Sequence, residues 1–387
     1  MADRSKIIIA RCGDYREGAV AEAFERIAEL AAGNGVTIPA RSKILLKPSL
    51  LAPDPPEKAV TTHPAVFLQA ARFFKKYGND LFYGDSPGMG DFRSVAKASG
   101  ISEAAEKEGV RAMNFEREKE VGFRSGRFCK KFIIADCLSP DLKIVSLPKL
   151  KTHCQMIYTG AIKNVFGCVP GTRKPESHLR MLTADNFAMM VADLFILLKP
   201  AFAIMDAVIG MEGNGPRGGT PRKTGFIIAG EDCLAVDSIC ARIMNLNPYS
   251  VPILKYASEF GGGNIDLQNI EVIGDDWREL VVKDFKNITA ALPLNFAGAK
   301  AIGILKRFVI NRPAVNYGKC VLCLKCLQKC PVEGKAIYLK GKRIRYRHDK
   351  CIRCYCCQEI CPEGAIYMKK KLWWKFLSAF YNISKRI

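Results

Sequence analysis

The sequence predicts an α/β fold. A mostly parallel, doubly wound sheet domain occupies residues 1–285, and a small cysteine-rich α+β module follows over 317–368. Three observations predict it. Short apolar runs alternate with helix-period segments up to about residue 285, the pattern of a largely parallel sheet covered by helices. Eight of the 16 cysteines fall in two matching runs near the C-terminus. Basic charge gathers in the same place: residues 300–387 hold 21 Lys and Arg against 4 Asp and Glu, which is +17 of the net +21. At 387 residues the chain exceeds one ordinary domain, so a large core with a second module is expected.

In chain order, Ile7–Ala10, Ile44–Leu46, Leu81–Tyr83, Ile144–Leu147, Phe202–Met205 and Phe226–Ala229 are short apolar runs of strand length. Between the first two, Ala19–Ala32 places Val20, Phe24, Ile27, Ala28 and Ala31 on one helical face, and Gly33 and Gly35 close it. Pro64–Tyr77, Ala184–Leu198 and Leu234–Met244 are further helices. Residues 286–316, with Leu292-Pro293 and Arg312-Pro313, read as a linker helix. In such folds ligands sit beyond the carboxyl ends of the strands, which directs attention to Lys47-Pro48-Ser49, Gly84-Asp85-Ser86-Pro87-Gly88, Pro148-Lys149 and Asp206.

The cysteine runs are Cys320, Cys323, Cys326, Cys330-Pro331 and Cys351, Cys354, Cys357, Cys361-Pro362, each spaced C-x-x-C-x-x-C-x-x-x-C-P. That spacing sets three thiolates on one tight loop around an iron-sulfur cube, with the fourth facing elsewhere. Structural zinc is the alternative, but zinc knuckles rarely need a third cysteine at the same step and a trailing Cys-Pro. The runs resemble bacterial-type ferredoxins with two 4Fe-4S clusters. The resemblance implies crossed ligation: Cys320, Cys323, Cys326 and Cys361 on one cluster, Cys351, Cys354, Cys357 and Cys330 on the other. An internal repeat agrees, because Cys330-Pro331 leads to Ala336-Ile337-Tyr338-Leu339 and Cys361-Pro362 to Ala365-Ile366-Tyr367-Met368, the first copy carrying two extra residues. Cys356 lies off the repeat and reads as a small packed thiol.

The other cysteines show no disulfide framework, and exposed clusters need reducing surroundings, so a cytoplasmic location is expected. No export signal is visible at Met1–Cys12. The most apolar stretch, Phe187–Met211, is broken by Asp193, Lys199 and Asp206 and reads as a buried helix and strand.

Residues 148–178, PKLKTHCQMIYTGAIKNVFGCVPGTRKPESH, read as a basic ligand-binding loop. Together with Arg180 just beyond, Lys149, Lys151, Lys163, Arg173 and Lys174 face a single acid, Glu176. Interleaved Ile157, Ile162, Val165 and Phe166 speak against a merely solvated loop, and an anionic small molecule, carboxylate or phosphate, is the expected ligand. His153 and His178 sit in this stretch as candidate proton carriers, with Cys154 and Cys168 as candidates for a further metal site. His63 reads as the cap of the helix that starts at Pro64. The loop Glu212–Gly219 reads as a lid, with Asn214 and Arg217 reaching the ligand, and GDSPG at 84–88 offers backbone N–H groups and Asp85.

KLKTH, TGAIKNVFG and the Pro170-Gly171 pair, with KPSL at 47–50, GDSPG at 84–88 and DAVIGMEGNGPRGG at 206–219, resemble the family called domain of unknown function 362. That family is frequently fused to a ferredoxin module and lends no settled reaction. The order His153, Lys163, Pro170-Gly171, His178 is also similar to nickel-pincer lactate racemases. This similarity implies a lysine tether for a pincer cofactor and histidines that bind nickel or move protons.

After the second run, KKKLWWKFLSAFYNISKRI places Leu372, Trp373, Phe376, Leu377 and Phe380 on one helical face, with six cations and no acid. Such a tail suits an anionic membrane surface, or the same face docks on the chain's own domain. The expected function is therefore a cytoplasmic iron-sulfur redox enzyme, peripheral to the inner face of the membrane through this tail. It takes electrons from an acidic redox partner and passes them to an anionic substrate or cofactor bound by Lys47, Asp85, Lys149, Lys151, Arg173, Asn214 and Arg217, with His153, Lys163 and His178 as catalytic groups. A non-catalytic electron-transfer or membrane-docked subunit and a pincer-type isomerase are the alternatives. No motif supports nucleic-acid binding.

Overall fold

Ile7, Ile8 and Ile9 are all fully buried, because successive residues of a strand face opposite sides of a sheet and both sides of this one are covered. Ile7 and Ile9 join one apolar core and Ile8 the other. The protein is described here by a computed structural model covering residues 4–288 and 311–369. Its sheet strands are β1 (Ser5–Arg11), β2 (Lys43–Pro48), β3 (Asp80–Tyr83), β4 (Arg111–Ala112), β5 (Glu118–Gly122), β6 (Lys131–Ala135), β7 (Leu142–Leu147), β8 (Lys149–His153), β9 (Ile157–Thr159), β10 (Phe202–Glu212), β11 (Thr220–Gly230) and β12 (Ile270–Gly274). The main sheet runs β12-β1-β11-β10-β7-β2-β3-β4, with β8 pairing both β10 and β9, while β5 and β6 form a separate hairpin. β10-β7-β2-β3-β4 is parallel throughout; the antiparallel pairs are β1-β11, β11-β10 and β8-β9.

Helices Glu17–Asn34 and Pro64–Lys76 cover one face, and Ala184–Leu198, Cys233–Ile243 and Pro252–Glu259 the other. The first begins and ends within two residues of its sequence-based bounds and closes on Gly35, whose φ of 65° is the left-handed conformation that favours glycine. His63 caps the second as expected, its Nδ1 accepting the Ala65 N–H at 3.2 Å.

Two local expectations are corrected. Residues 148–178 are not a loop: they form β8, β9 and the helices Ala161–Asn164 and Lys174–Met181, so His153 ends a strand and His178 lies on a helix. Asp206 does not follow a strand but sits inside β10, opposite Lys149 of β8. Lys149 and Lys151 are both buried, because partners distant in sequence receive their ammonium groups.

In the module, β13 (Arg312–Val315) pairs antiparallel with β16 (Ile366–Lys369), and β14 (Ile337–Lys340) with β15 (Arg343–Tyr346). The repeat has a structural counterpart in the equal burial of Ala336-Ile337 and Ala365-Ile366. Leu322 and Leu324 of the first cysteine loop, and Arg353 and Tyr355 of the second, all have φ between 55° and 59°. Both loops therefore bend in the same way at matching positions. Most of the proposed linker, 289–310, and the tail from 370 lie outside the described residues. Among the described residues no helix is long and apolar enough to cross a membrane.

Candidate functional site

The carboxyl ends of the parallel strands and the second cysteine loop meet around a cavity of about 160 Å3. Lys149, Lys151, His153, Lys163, Lys174 and His178 line it from the α/β domain, and Lys329, Cys356, Glu359 and Ile360 from the module. Asp85 and Asn164 complete its polar wall.

The lysines divide by partner. Lys47 is fully buried, with its ammonium 3.0 Å from Asp85 and 3.2 Å from Asn164, and stands behind the cavity. Asn164 returns the contact by donating to the Lys47 carbonyl at 2.9 Å, and Asp85 accepts the Leu50 N–H at 2.8 Å, so the wall is fixed from behind. A Cβ at Gly167 would fall 1.9 Å from the Asp85 carboxylate, so only glycine lets the chain pass this pair. Lys149 is neutralised by Asp206 at 2.9 Å, and Asp206 also takes the Tyr15 hydroxyl and the His63 N–H. Lys151 donates to the Val60 carbonyl at 2.6 Å and forms no ion pair among the described residues; burial, with Lys163 and Lys149 nearby, brings its pKa down to about 7 against the opposing pull of Glu359 and Asp85. Lys174 donates to the Ser86 carbonyl, and burial brings it down to about 8. Among the described residues no hydrogen bond or ion pair forms at the Lys163 ammonium, which lies 5.8 Å over the Phe166 ring, and burial lowers its pKa.

The two histidines are kept neutral. Nδ1 of His153 accepts the backbone N–H groups of Gln155 and Met156 at 3.1 and 3.2 Å, which leaves the ring proton on Nε2. Nε2 stands 3.2 Å from Glu359 of the module without hydrogen-bond alignment. Burial and the Lys163 charge bring His153 down to about 4. Glu359 is held at about 2, against the upward push of burial, by that contact and by Lys163. His178 stacks on Phe187 at 4.4 Å, its buried Nδ1 has no partner among the described residues, and burial brings it down to about 4.

Four of the expected ligand contacts lie outside the cavity lining: Lys47, behind it, and Arg173, Arg217 and Asn214. Arg173 pairs with Glu118 and Glu176. Arg217 grips Asp54 at 2.6 and 3.2 Å and donates to the Ile360 carbonyl of the module at 3.3 Å. Asn214 donates to the Ile366 carbonyl at 2.9 Å and accepts, through its own carbonyl, the side-chain amide of the fully buried Gln358 at 2.6 Å. The expected lid is thus a strut that seats the module on the sheet domain. Cys154 donates to the Gly215 carbonyl at 3.1 Å in the same seam. Sequence reasoning missed Glu359, Cys356 and Lys329 as cavity residues, since nothing in a cysteine loop announces what it will face; Asn164 was legible, standing next to Lys163 in the same motif.

In the module, Cys320, Cys323, Cys326 and Cys361 border one small hollow of about 20 Å3. Cys351 has Cys354 and Cys330 as charge neighbours. The Ala365 N–H donates to Cys361 Sγ at 3.2 Å and the Tyr346 hydroxyl to Cys357 Sγ at 3.5 Å, the kind of donors that stabilise thiolate ligands. The donor set fits iron-sulfur clusters.

These features define a sheet domain coupled through a charged cavity to an iron-sulfur module. Residues 312–362 match a 4Fe-4S dicluster domain and residues 44–242 match the family described as Domain of unknown function (DUF362). The chain belongs to that DUF362 family. It is 30% identical over 307 residues, 79% of this chain and 95% of the relative, to Thylakoid-associated protein sll1697 of Synechocystis sp. (strain ATCC 27184 / PCC 6803 / Kazusa).

Proposed function

We propose that the protein is a redox enzyme in which electrons pass from the iron-sulfur module to a small anionic substrate or cofactor in the cavity between the domains. The observation that carries this reading is the shared wall: Cys356 and Glu359, the two ends of the short helix Cys356–Glu359 within the second cysteine run, border the same cavity as Lys151, Lys163 and Lys174. Cys320, Cys323, Cys326 and Cys361 would hold one 4Fe-4S cluster and Cys351, Cys354, Cys357 and Cys330 the other. When bound, such clusters supply single electrons at low potential.

The chain's own residues do the rest. Lys163, with no hydrogen bond or ion pair among the described residues, and Lys151 attract the anion; Lys149 keeps its place through Asp206 and Tyr15. Lys47 and Asp85 hold the wall. His178 and His153 are neutral imidazoles at the cavity, able to exchange a proton with a bound group.

The electron donor in this reading is an acidic protein, drawn by the basic module. The cytoplasm supplies the reducing surroundings that exposed clusters need. A membrane-docked subunit is the second reading. It is favoured by the basic aromatic tail and by the relative's name, which places that protein with thylakoids.

Titration calorimetry with acetate on anaerobically purified protein tests the cavity. The wild-type chain binds acetate, and Lys163→Ala loses at least about tenfold in affinity, roughly 1.4 kcal/mol, with its iron content unchanged. Acetate binding unaltered by the substitution would contradict the reading; iron lost together with binding would make Lys163 a folding residue.

A further inference from the structure

The inner cavity, at about 160 Å3, is small against the roughly 300–1,000 Å3 of sites that enclose a whole drug-sized ligand. Directly beside it lies an open groove of about 1300 Å3. The two hollows share one border, made by Asp85, Ser86, Gly88, Met89, Gly171 and Lys329. On the inner side the lysines share the wall with Leu50, Phe166 and Ile360. On the outer side Tyr83, Phe92, Met113 and Phe115 contribute aromatic and thioether surface beyond the ends of β3 and β4, rimmed by the charged Asp91, Arg93, Lys97, Glu106 and Glu116.

We propose that cavity and groove form one site for a two-part ligand: a small anionic head held by Lys151 and Lys163 inside, and an apolar, ring-bearing body lying in the groove along Phe92 and Met113. The inference rests on the redox reading of the inner cavity and adds the class of molecule it serves.

The shared border suits this division. Lys174 of the helix Lys174–Met181 donates to the Ser86 carbonyl, and the Ser86 N–H donates to the Gly167 carbonyl at 2.9 Å, so the 84–88 turn is tied to the segment that carries Lys163. At Gly88 and Gly171 the border has no side chain: a Cβ would come within 3.0 Å of Leu51 at the first and 3.3 Å of Ser86 at the second. Glycine at both positions keeps the border low where a chain linking head and body would cross it. Lys329, exposed and belonging to the module, stands on the border from the other side, so the crossing lies where the two domains meet. Phe92 is half-buried against Tyr83, with ring centroids 5.4 Å apart, and leaves part of its face to the groove.

The test compares two probes, acetate as the head alone and phenylvalerate as head plus body, titrated into the full anaerobically purified chain. The proposal predicts that phenylvalerate binds about tenfold tighter or more, as expected for burying a ring. It also predicts that Phe92→Ala and, from a different segment, Met113→Ala each bring the two probes to similar affinity. Two variants guard against a fold defect in one of them. Equal affinity of the probes for the wild-type chain, or an advantage of phenylvalerate that survives both substitutions, overturns the groove while leaving the inner anion site standing. Failure of both probes to bind removes the inner site and the proposal with it.

Discussion

Burial, with Lys163 and Lys149 nearby, brings the Lys151 ammonium down to a pKa of about 7, below the usual lysine range. Two consequences follow from the sign of that shift. Between about pH 7 and the ordinary lysine range, the unfolded chain carries a proton that the folded one does not. Stability therefore gains from this group as pH rises through that window and loses it as pH falls to 7. Anion binding runs the other way, because only the protonated amine attracts a carboxylate. Acetate affinity should drop as pH rises through about 7, with a further drop near 8 as Lys174 deprotonates. Calorimetric titrations across that range check this, and Lys151→Arg should remove the lower step, since guanidinium stays charged. Lys149 differs in having Asp206 at 2.9 Å and the Tyr15 hydroxyl at 2.5 Å. Asp206→Ala should cost about 3–5 kcal/mol in denaturant unfolding, because it strands a buried ammonium. None of this distinction was legible in KLKTH, where both lysines look alike; the partners, Asp206 and the Val60 carbonyl, come from elsewhere in the chain.

At the scale of elements, the central strands of the sheet were legible and the β8–β9 branch was not. Runs such as Ile44–Leu46 and Phe226–Ala229 are apolar throughout because they are covered on both faces, and such runs announce themselves. β8 carries its lysines inward, so it has the composition of a loop and the burial of a core strand. The turn 213–219 is glycine-rich for a related reason: a Cβ at Gly218 would stand 3.3 Å from Gly364 Cα, so the turn is made for close contact with the module. That seam gives a further prediction. Gln358→Ala removes the donor to the Asn214 carbonyl and should destabilise the domain contact by about 1–3 kcal/mol. Limited proteolysis should then cut between the domains faster than in the wild-type chain, whereas an unchanged cleavage rate would show that Arg217 and Asn214 suffice.

At the scale of the molecule, the sequence already divided the charge: nearly all the excess sits in the last 88 residues, on the module and its tail. Liposome flotation with anionic vesicles separates the roles of the two. If the tail is the membrane contact, deleting 369–387 abolishes flotation; unchanged flotation assigns the attraction to the module itself. The apposition of module and cavity was beyond the sequence, because it depends on the side chains of Glu359 and Gln358 and the carbonyl of Ile360, in a stretch between cysteines without any pattern of its own.

Iron analysis and EPR of anaerobically purified protein, reduced with dithionite, with and without acetate, show whether iron-sulfur clusters stand against an anion-binding cavity. Two clusters beside that cavity give about eight irons per chain, interacting signals on reduction, and a change in those signals on adding acetate. Zinc in place of iron, or reduced-cluster signals indifferent to an anion shown by calorimetry to be bound, would rule that arrangement out.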